Sequence, residues 1–155
     1  MRTSSQTTLF NMCMIIDKGK NKVLVQDKIN SDWSGITFPG GKTEYGESII
    51  NSTVREIKEE TGLDISELKN SGMIHWYNTD NHDRWIIYLF KTEVFQGELI
   101  EETEEGKVFW IPIEELEIHK LAPNMDTYLK LFFNDNFQEA YATWSDNHES
   151  GFELY

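Results

Sequence analysis

The chain has 155 residues, of which 39% are hydrophobic and 13% aromatic, and it carries a formal net charge of −13. This size and composition predict one folded domain, residues 1–155, rather than a disordered acidic tail. The charge argues against duplex nucleic acid as a partner, because phosphate backbones are held by patches of Lys and Arg. A small phosphorylated ligand is compatible with the charge if a divalent cation lies between carboxylates and phosphate.

Cysteine content and the start of the chain argue against further classes of protein. Cys13 is the only cysteine, which excludes an internal disulfide and a cysteine-rich zinc site. The apolar run that follows the polar start MRTSSQTT is shorter than a signal-peptide core with its cleavage site, and shorter than a membrane span. We therefore expect a cytoplasmic protein with no membrane attachment, and no protein partner is evident.

The first part of the chain predicts three strands and a helix. Residues 9–16 form a continuous apolar run, and the turn DKGKNK separates it from residues 22–26, so the pair is expected to be a hairpin. A short strand at 36–38 is expected to end at Pro-Gly-Gly. Residues 48–61 then predict a helix, with Gly62 as its left-handed C-terminal cap.

The second part predicts more strands and a second, amphipathic helix at residues 125–133, where apolar side chains recur with helical spacing. The expected strands are rich in β-branched and aromatic residues and cover 72–77, 84–92 with a continuation through 93–99, 108–113, 140–144 and 152–155. This order of elements predicts a mixed β-sheet covered by helices.

Acidic residues cluster on the first predicted helix, in REIKEETG at residues 55–62. At roughly 100° per residue, Glu56, Glu59 and Glu60 share one face, and Val54 and Ile57 lie on a separate apolar stripe. Like charges at this spacing repel one another. Either the carboxylates point into water, as charge clusters on helices commonly do, or a cation belongs between them.

The spacing around this cluster is specific. Gly41 is followed after five residues by Glu47, and after seven more by R-E-I-K-E-E-T-G-L at 55–63. This matches the Nudix box, G-x5-E-x7-R-E-U-x-E-E-x-G-U with U aliphatic, at a chance of roughly one in 10⁸ per starting point. The chain is identified on this motif as a member of the Nudix hydrolase superfamily.

The resemblance implies an α/β fold, the Nudix α/β/α sandwich with a mixed β-sheet between helices. It also implies hydrolysis of a phosphoric anhydride bond in a nucleoside diphosphate joined to another group. The cofactor would be Mg²⁺, for which Mn²⁺ can substitute, and oxygen ligands suit such hard cations. The implied ligands and catalytic carboxylates are Glu56, Glu59 and Glu60, with the Gly40 carbonyl as a further ligand. The implied structural positions of the box are Gly41, Glu47, Arg55 and Gly62.

A further glutamate is expected on a downstream loop, because MutT-type members carry one five or six positions before a strand tryptophan. Here Glu105 lies five and Glu104 six positions before Trp110. We prefer Glu105 as an additional catalytic and metal-binding residue, the alternative being a plain solvated acidic loop. Glu56 and the loop glutamate are both candidates for the general base that activates water.

The chain resembles MutT-like 8-oxo-dGTP diphosphatases from about residue 8 to 132. That resemblance implies that Asn124 reads the purine, although asparagine before a helix is also a favoured N-cap. It implies a phosphate contact for Lys28. Trp33 and Phe38 either stack on a base or pack in the core. The expected reaction converts nucleoside triphosphates, notably oxidised purine nucleotides such as 8-oxo-dGTP, to monophosphate and pyrophosphate, which is a nucleotide-pool sanitation and DNA-repair role.

Other substrates remain open. The proline typical of ADP-ribose hydrolases is missing at positions 77–79, whereas Tyr77 leaves diadenosine polyphosphates open. RNA 5′ ends are a further option within the same chemistry. Cys13, in an apolar run, is expected in the core rather than in catalysis. A non-catalytic nucleotide-binding protein is the alternative from another class, and the complete box argues against it.

Overall fold

A mixed β-sheet runs through the molecule between two α-helices, in a computed structural model that describes residues 4–29 and 32–155. The strands are β1 Thr7–Asp17, β2 Lys22–Lys28, β3 Gly35–Thr37, β4 Gly40–Lys42, β5 Asp64–Ser66, β6 Lys69–Asn78, β7 Arg84–Thr92, β8 Val94–Gln96, β9 Glu102–Thr103, β10 Gly106–Pro112, β11 Glu139–Ser145, β12 His148–Glu149 and β13 Glu153–Leu154. The helices are α1 Ile49–Thr61 and α2 Met125–Phe133, with a 3-10 helix at Ile113–Ile118.

The main sheet has the order β12-β11-β6-β7-β1-β2-β10-β9. β1 runs parallel to β7, and β6 runs parallel to β11, whereas the other neighbours along this order are antiparallel. Three short strands pair beside this order: β3 with β2, β4 with β1, and β13 with β11. The prediction of a mixed sheet covered by helices is confirmed.

The side chains of β1 alternate between the two faces of the sheet and contribute to a separate hydrophobic cluster on each face. Met12 and Met14 lie in the cluster that includes α2, whereas Cys13 and Ile15 lie with Ile57 of α1 in the other. Side chains on a strand point alternately to opposite faces, so a strand between two helix layers needs apolar side chains at consecutive positions, as in Met12 to Ile15. Cys13 is fully buried, and burial raises the pKa of its thiol, in agreement with the expected core position.

α1 begins and ends as its sequence predicts. The Ser48 hydroxyl accepts a hydrogen bond from the backbone N–H of Asn51 at 3.0 Å. Gly62 has the left-handed φ of 79°, and its N–H donates to the Lys58 carbonyl at 3.0 Å. A Cβ at Gly62 would lie 2.5 Å from the Glu98 carbonyl oxygen, so both the backbone angle and the space require glycine.

One sequence prediction about a strand end is wrong, and another is correct but misses the strand that follows. Residues 93–99 do not prolong β7, because Thr92 turns the chain: its hydroxyl donates to the Ser66 carbonyl at 2.6 Å, and β8 pairs with β5 in a separate two-stranded sheet. The short strand does end at Pro-Gly-Gly as predicted, but β4, which Gly40–Lys42 forms against β1, was not predicted. The absence of side chains allows this approach, since a Cβ at Gly40 would lie 2.1 Å from the Asn11 carbonyl oxygen.

The late strands predicted at 140–144 and 152–155 are present as β11 and β13, and β12 between them was not predicted. Because β11 pairs with β6, the tail extends the main sheet rather than lying apart from it. Within the described ranges, no helix is both long enough and apolar enough to cross a membrane.

Candidate active site

The segment from Gly40 to Glu47 at the start of the box is called the glycine loop here, and Arg55 fixes it against α1. Its Nε donates to Glu47 Oε2 at 2.7 Å and its Nη2 donates to Glu47 Oε1 at 2.9 Å. The two residues therefore form a bidentate salt bridge. Nη2 also donates to the Lys42 carbonyl at 3.1 Å. The hydrogen bond from Arg55 holds the pKa of Glu47 below its ordinary value. The loop between β4 and α1 is therefore tied to the helix by the two charged residues that precede the carboxylate cluster.

The same guanidinium also contacts two members of the cluster. Nη1 of Arg55 donates to Glu56 Oε1 at 3.0 Å and to Glu59 Oε2 at 3.2 Å. The Glu59 side chain is 59% exposed, whereas that of Glu56 is 16% exposed. Arg55 thus offsets part of the repulsion within the cluster, and Glu59 lies on its solvent side.

Glu56 and Glu60 face the glycine loop. The Gly40 N–H donates to Glu60 Oε2 at 3.1 Å. A Cβ at Gly41 would lie 2.4 Å from Glu56 Oε2, so the carboxylate rests directly against the backbone. Glycine at this position is a steric requirement, because any side chain would displace the carboxylate.

Asn11 holds the other side of this loop and was not identified from the sequence. Its Oδ1 accepts from the Gly41 N–H at 3.2 Å, and its Nδ2 donates to the Ser52 hydroxyl on α1 at 3.0 Å. Asn11 is 3% exposed. A buried polar side chain needs hydrogen-bond partners. The one amide within the otherwise apolar run LFNMCMII was therefore the sequence feature that could have identified Asn11.

Burial makes the two loop-facing carboxylates difficult to ionise. The pKa of Glu60 is raised to about 7, first by burial and further by the charges of Glu56 and Glu105, against the opposing effects of Lys28 and the Gly40 N–H. Burial also raises the pKa of Glu56. Buried negative charge with hard oxygen atoms and incomplete compensation is the environment that a divalent cation stabilises. The donor set of Glu56, Glu60 and the Gly40 carbonyl therefore fits Mg²⁺.

The structure does not gather all of the expected metal ligands at one point. Within residues 4–29 and 32–155, no group of three or more His, Cys, Asp or Glu side chains is close enough together to hold a metal ion. Glu59 is turned toward Arg55, and Glu105 lies in the turn between β9 and β10 rather than on α1. Helical spacing places side chains on one face, but it does not fix where their carboxylates point.

The downstream loop brings Glu105 to Lys28. Glu105 Oε2 lies 3.5 Å from Lys28 Nζ, with side chains 47% and 21% exposed respectively. Glu104 is exposed. Of the two glutamates left open by the spacing to Trp110, Glu105 is the one in contact with a second predicted site residue.

A cavity of about 580 Å³ opens beside the glycine loop on the α2 face of the sheet. Gly40, Gly41 and Lys28 line one end of it. The remainder is largely aromatic, with side chains from both the sheet and the α2 region: Phe10, Trp33, Phe38, Trp76, Trp85, Tyr128 and Trp144. A polar end beside an apolar end matches the two halves of a nucleotide.

Asn124 lines this cavity, although it also stands at the start of α2. Its φ is 70° and its side chain makes no capping hydrogen bond, so the cap interpretation does not account for the amide. Nearby, Trp33 Nε1 donates to the Pro123 carbonyl at 2.7 Å. Phe38 is 1% exposed and packs edge-on against Phe132, which favours a core role for that ring.

Three tryptophans of the cavity were not identified as site residues from the sequence: Trp76, Trp85 and Trp144. Trp76 and Trp85 are Cα partners in the β6–β7 pair, so they stand on the same face. Tyr77 is the next residue of β6 and points the other way, where its hydroxyl contacts His82 and its ring lies under Arg84. Tyr77 therefore gives no support to a diadenosine polyphosphate substrate.

Residues 8–132 match the family model described as the NUDIX domain, and the chain belongs to this family. Among curated proteins, it is 32% identical over 106 residues to an uncharacterised Nudix hydrolase, YvcI, of Bacillus subtilis, covering 66% of each chain. It is 39% identical over 87 residues to an ADP-ribose pyrophosphatase of Methanocaldococcus jannaschii, covering 55% of this chain and 50% of that one.

An oxidized purine nucleoside triphosphate hydrolase of Danio rerio is 27% identical over 89 residues, covering 57% of this chain and 54% of the relative. The chain thus spans about half to two thirds of the length of these curated relatives. Among solved structures, a MutT protein from Bacillus halodurans superposes with a TM-score of 0.76 at 25% identity, covering 95% of this chain and 97% of that one. The E. coli ORF135 protein, at 24% identity and a TM-score of 0.68 over 83% and 89%, shows the fold alone.

Proposed function

We propose that this protein hydrolyses nucleoside triphosphates to nucleoside monophosphate and pyrophosphate with Mg²⁺, and that oxidised purine nucleotides such as 8-oxo-dGTP are its substrates. The observation that carries the proposal is the single cavity that joins the glycine loop of the box to aromatic walls. Phosphates at the polar end and a stacked base at the aromatic end would occupy it together.

Each residue near the glycine loop has a distinct task in this proposal. Glu56 and Glu60, with the Gly40 carbonyl, hold Mg²⁺, and Glu59 and Glu105 complete the acidic surroundings. When bound there, the cation would neutralise charge that develops on the phosphate oxygens and would orient the attacking water. The general base that removes a proton from this water is Glu56 or Glu105.

Basic residues at the same end favour phosphate over a neutral ligand. Lys28 and Lys42 line the cavity, and Lys28 also lowers the pKa of Glu60. Lysine acts as a point charge toward phosphate. Because Glu105 also contacts Lys28, a phosphate that binds Lys28 would compete with this carboxylate and free it to act on water.

Asn124 and the aromatic rings act on the base. The Asn124 amide can both donate and accept hydrogen bonds, and it is available because it does not cap α2. This assignment supports a substrate that contains a purine base. ADP-ribose and dinucleoside polyphosphates, which also carry purines, remain the rival substrates within the same chemistry. A non-catalytic nucleotide-binding protein is the rival class, and the complete set of box residues weighs against it.

A substrate panel tests the proposal. We would measure kcat/KM with Mg²⁺ for 8-oxo-dGTP, dGTP, ADP-ribose and diadenosine tetraphosphate, and identify the products. The proposal expects the highest value for 8-oxo-dGTP, with release of monophosphate and pyrophosphate. A higher value for ADP-ribose, or release of inorganic phosphate alone from 8-oxo-dGTP, would refute it, and no turnover with any of them would favour the binding protein.

A further inference from the structure

The C-terminal hairpin of β11 and β12 lies outside residues 8–132, yet it forms one wall of the cavity through Trp144 and Glu149. These residues are Cα partners in the antiparallel pair, so their side chains stand beside each other on the same face of the sheet. This wall therefore comes from a part of the chain that the family model does not cover.

The indole of Trp144 joins an aromatic wall with two other tryptophans. Its ring centroid lies 5.1 Å from that of Trp85 at 44° and 6.4 Å from that of Trp76 at 81°. Trp85 nevertheless remains 46% exposed. A large apolar ring left open to a cavity is well placed to stack on a planar ligand.

Within the part of the chain that the structure describes, the Glu149 carboxylate is free to bind a ligand. The hydroxyl of neighbouring Ser150 already has a hydrogen-bond partner, because it accepts from the Thr143 N–H at 2.9 Å. Among residues 4–29 and 32–155, by contrast, no side chain or backbone group is paired with the Glu149 carboxylate. Glu149 is exposed at the cavity and is its only acidic lining residue in the described ranges.

The hairpin is far from the phosphate end of the cavity. Four strand-to-strand steps separate β1, which carries Phe10, from β12, which carries Glu149. At about 4.8 Å per step this is roughly 19 Å. A carboxylate there lies well away from the carboxylates and cation of the glycine loop, at the end where a base would lie.

We propose that Glu149 selects a guanine-type base, held against Trp144 and Trp85, in the nucleotide site proposed above. The Watson–Crick edge of guanine presents two adjacent donors, the ring N1–H and the N2 amino group, which the two oxygens of an ionised carboxylate can accept together. Adenine and cytosine place an acceptor beside their amino group, and thymine places carbonyls on both sides of its N–H. Oxidation at C8 leaves the guanine edge unchanged.

Binding of nucleoside monophosphates tests this inference without turnover or metal. We would titrate wild type and Glu149→Gln with dGMP and with dAMP in EDTA, following the quenching of tryptophan fluorescence. Because a charge-assisted pair of hydrogen bonds is lost, Glu149→Gln is expected to weaken dGMP binding about tenfold or more. Binding of dAMP should not weaken, since adenine cannot donate twice to the carboxylate and the glutamine amide complements its adjacent donor and acceptor.

Asp146→Asn is the matched control. It removes the same charge from the same hairpin, at an exposed position that does not line the cavity, and it should leave both affinities unchanged. Equal effects of Glu149→Gln on dGMP and dAMP, no effect on either, or failure of wild type to bind dGMP would each overturn the inference.

The outcome can be separated from that of the proposed function. Guanine-selective binding that depends on Glu149, in a protein that hydrolyses no triphosphate, would support this inference and refute the proposed reaction. Hydrolysis whose preference for dGTP over dATP is the same in wild type and Glu149→Gln would do the reverse.

Discussion

Glu56 and Glu60 carry the strongest prediction at the scale of single residues. Glu56→Gln or Glu60→Gln is expected to lower kcat by at least about 10²-fold, because the metal that stabilises transition-state charge is lost. Ile57, which packs α1 against the sheet, is untouched, so the fold should persist. Steady-state kinetics at saturating Mg²⁺ and a melting curve check both parts, with exposed Glu117→Gln as the control. Near-normal activity in either site variant would refute its metal role.

The buried carboxyl of Glu60 predicts how stability depends on pH in the absence of metal. Folding raises its pKa from 4.5 to about 7. The folded state therefore holds this proton more tightly, and the resulting stabilisation is complete below pH 4.5 and is lost as the pH rises through about 7. Relative to wild type, Glu60→Gln should gain up to about 3 kcal/mol between pH 4.5 and 8, at about 1.4 kcal/mol per pKa unit.

Urea unfolding in EDTA at several pH values measures this difference. Addition of Mg²⁺ at pH 8 should restore the stability of wild type and have less effect on the variant, because the cation compensates the buried charge. A stability difference that stays constant from pH 4.5 to 8 would contradict the assignment.

Asn124 combines a backbone requirement with a proposed contact to the base. Its φ of 70° suits asparagine and glycine, so Asn124→Ala should cost about 1–2 kcal/mol, whereas Asn124→Gly should cost less. If the amide reads the purine, both variants should lose the preference for 8-oxo-dGTP over dGTP in kcat/KM. Loss of stability in the alanine variant with unchanged discrimination in both would leave Asn124 a purely conformational role.

Among the structural elements, the acidic loop before β10 allows a proposed site residue to be compared with other glutamates of the same segment. Glu105→Ala should reduce kcat strongly, because this carboxylate lies beside Lys28 and influences Glu60. Glu102→Ala, at an exposed position of β9 in the same segment, should have little effect. The 3.5 Å pair with Lys28 is half exposed and contributes little stability, so the melting temperature should not distinguish the two variants. Small and equal losses of activity would show that the loop is only solvated surface.

The elements also show which features the sequence predicts well. α1 is bounded by Ser48 and Gly62, whose chemistry is local, and β7 and α2 were predicted at their observed bounds. The prediction that β7 continues through residues 93–99 is wrong because the Thr92–Ser66 hydrogen bond is a tertiary contact with no local sequence signature. Trp85 and Trp144 were missed as site residues for a similar reason, since sheet pairing brings together positions 59 residues apart in the chain.

For the whole molecule, the excess of negative charge makes the response to cations informative. Mg²⁺ bound only by the folded state should raise the melting temperature, by an amount that grows with the logarithm of concentration above the dissociation constant. Glu56→Gln and Glu60→Gln should reduce this rise. NaCl at matched ionic strength controls for general screening of the net charge of −13. A rise equal to that in NaCl, or equal in all three proteins, would show that no specific site exists.

The attachment of β11 to β6 has a consequence for how the protein matures during synthesis. Trp144 pairs with Asn78, so the last cavity wall joins a strand made 66 residues earlier. Nascent domains tend to fold from the N-terminal side as the ribosome advances at about 5–20 residues per second. The glycine loop and α1 can therefore assemble first, leaving the tryptophans of β6 and β7 uncovered for several seconds. That interval is the one in which a nascent chain would most need a chaperone.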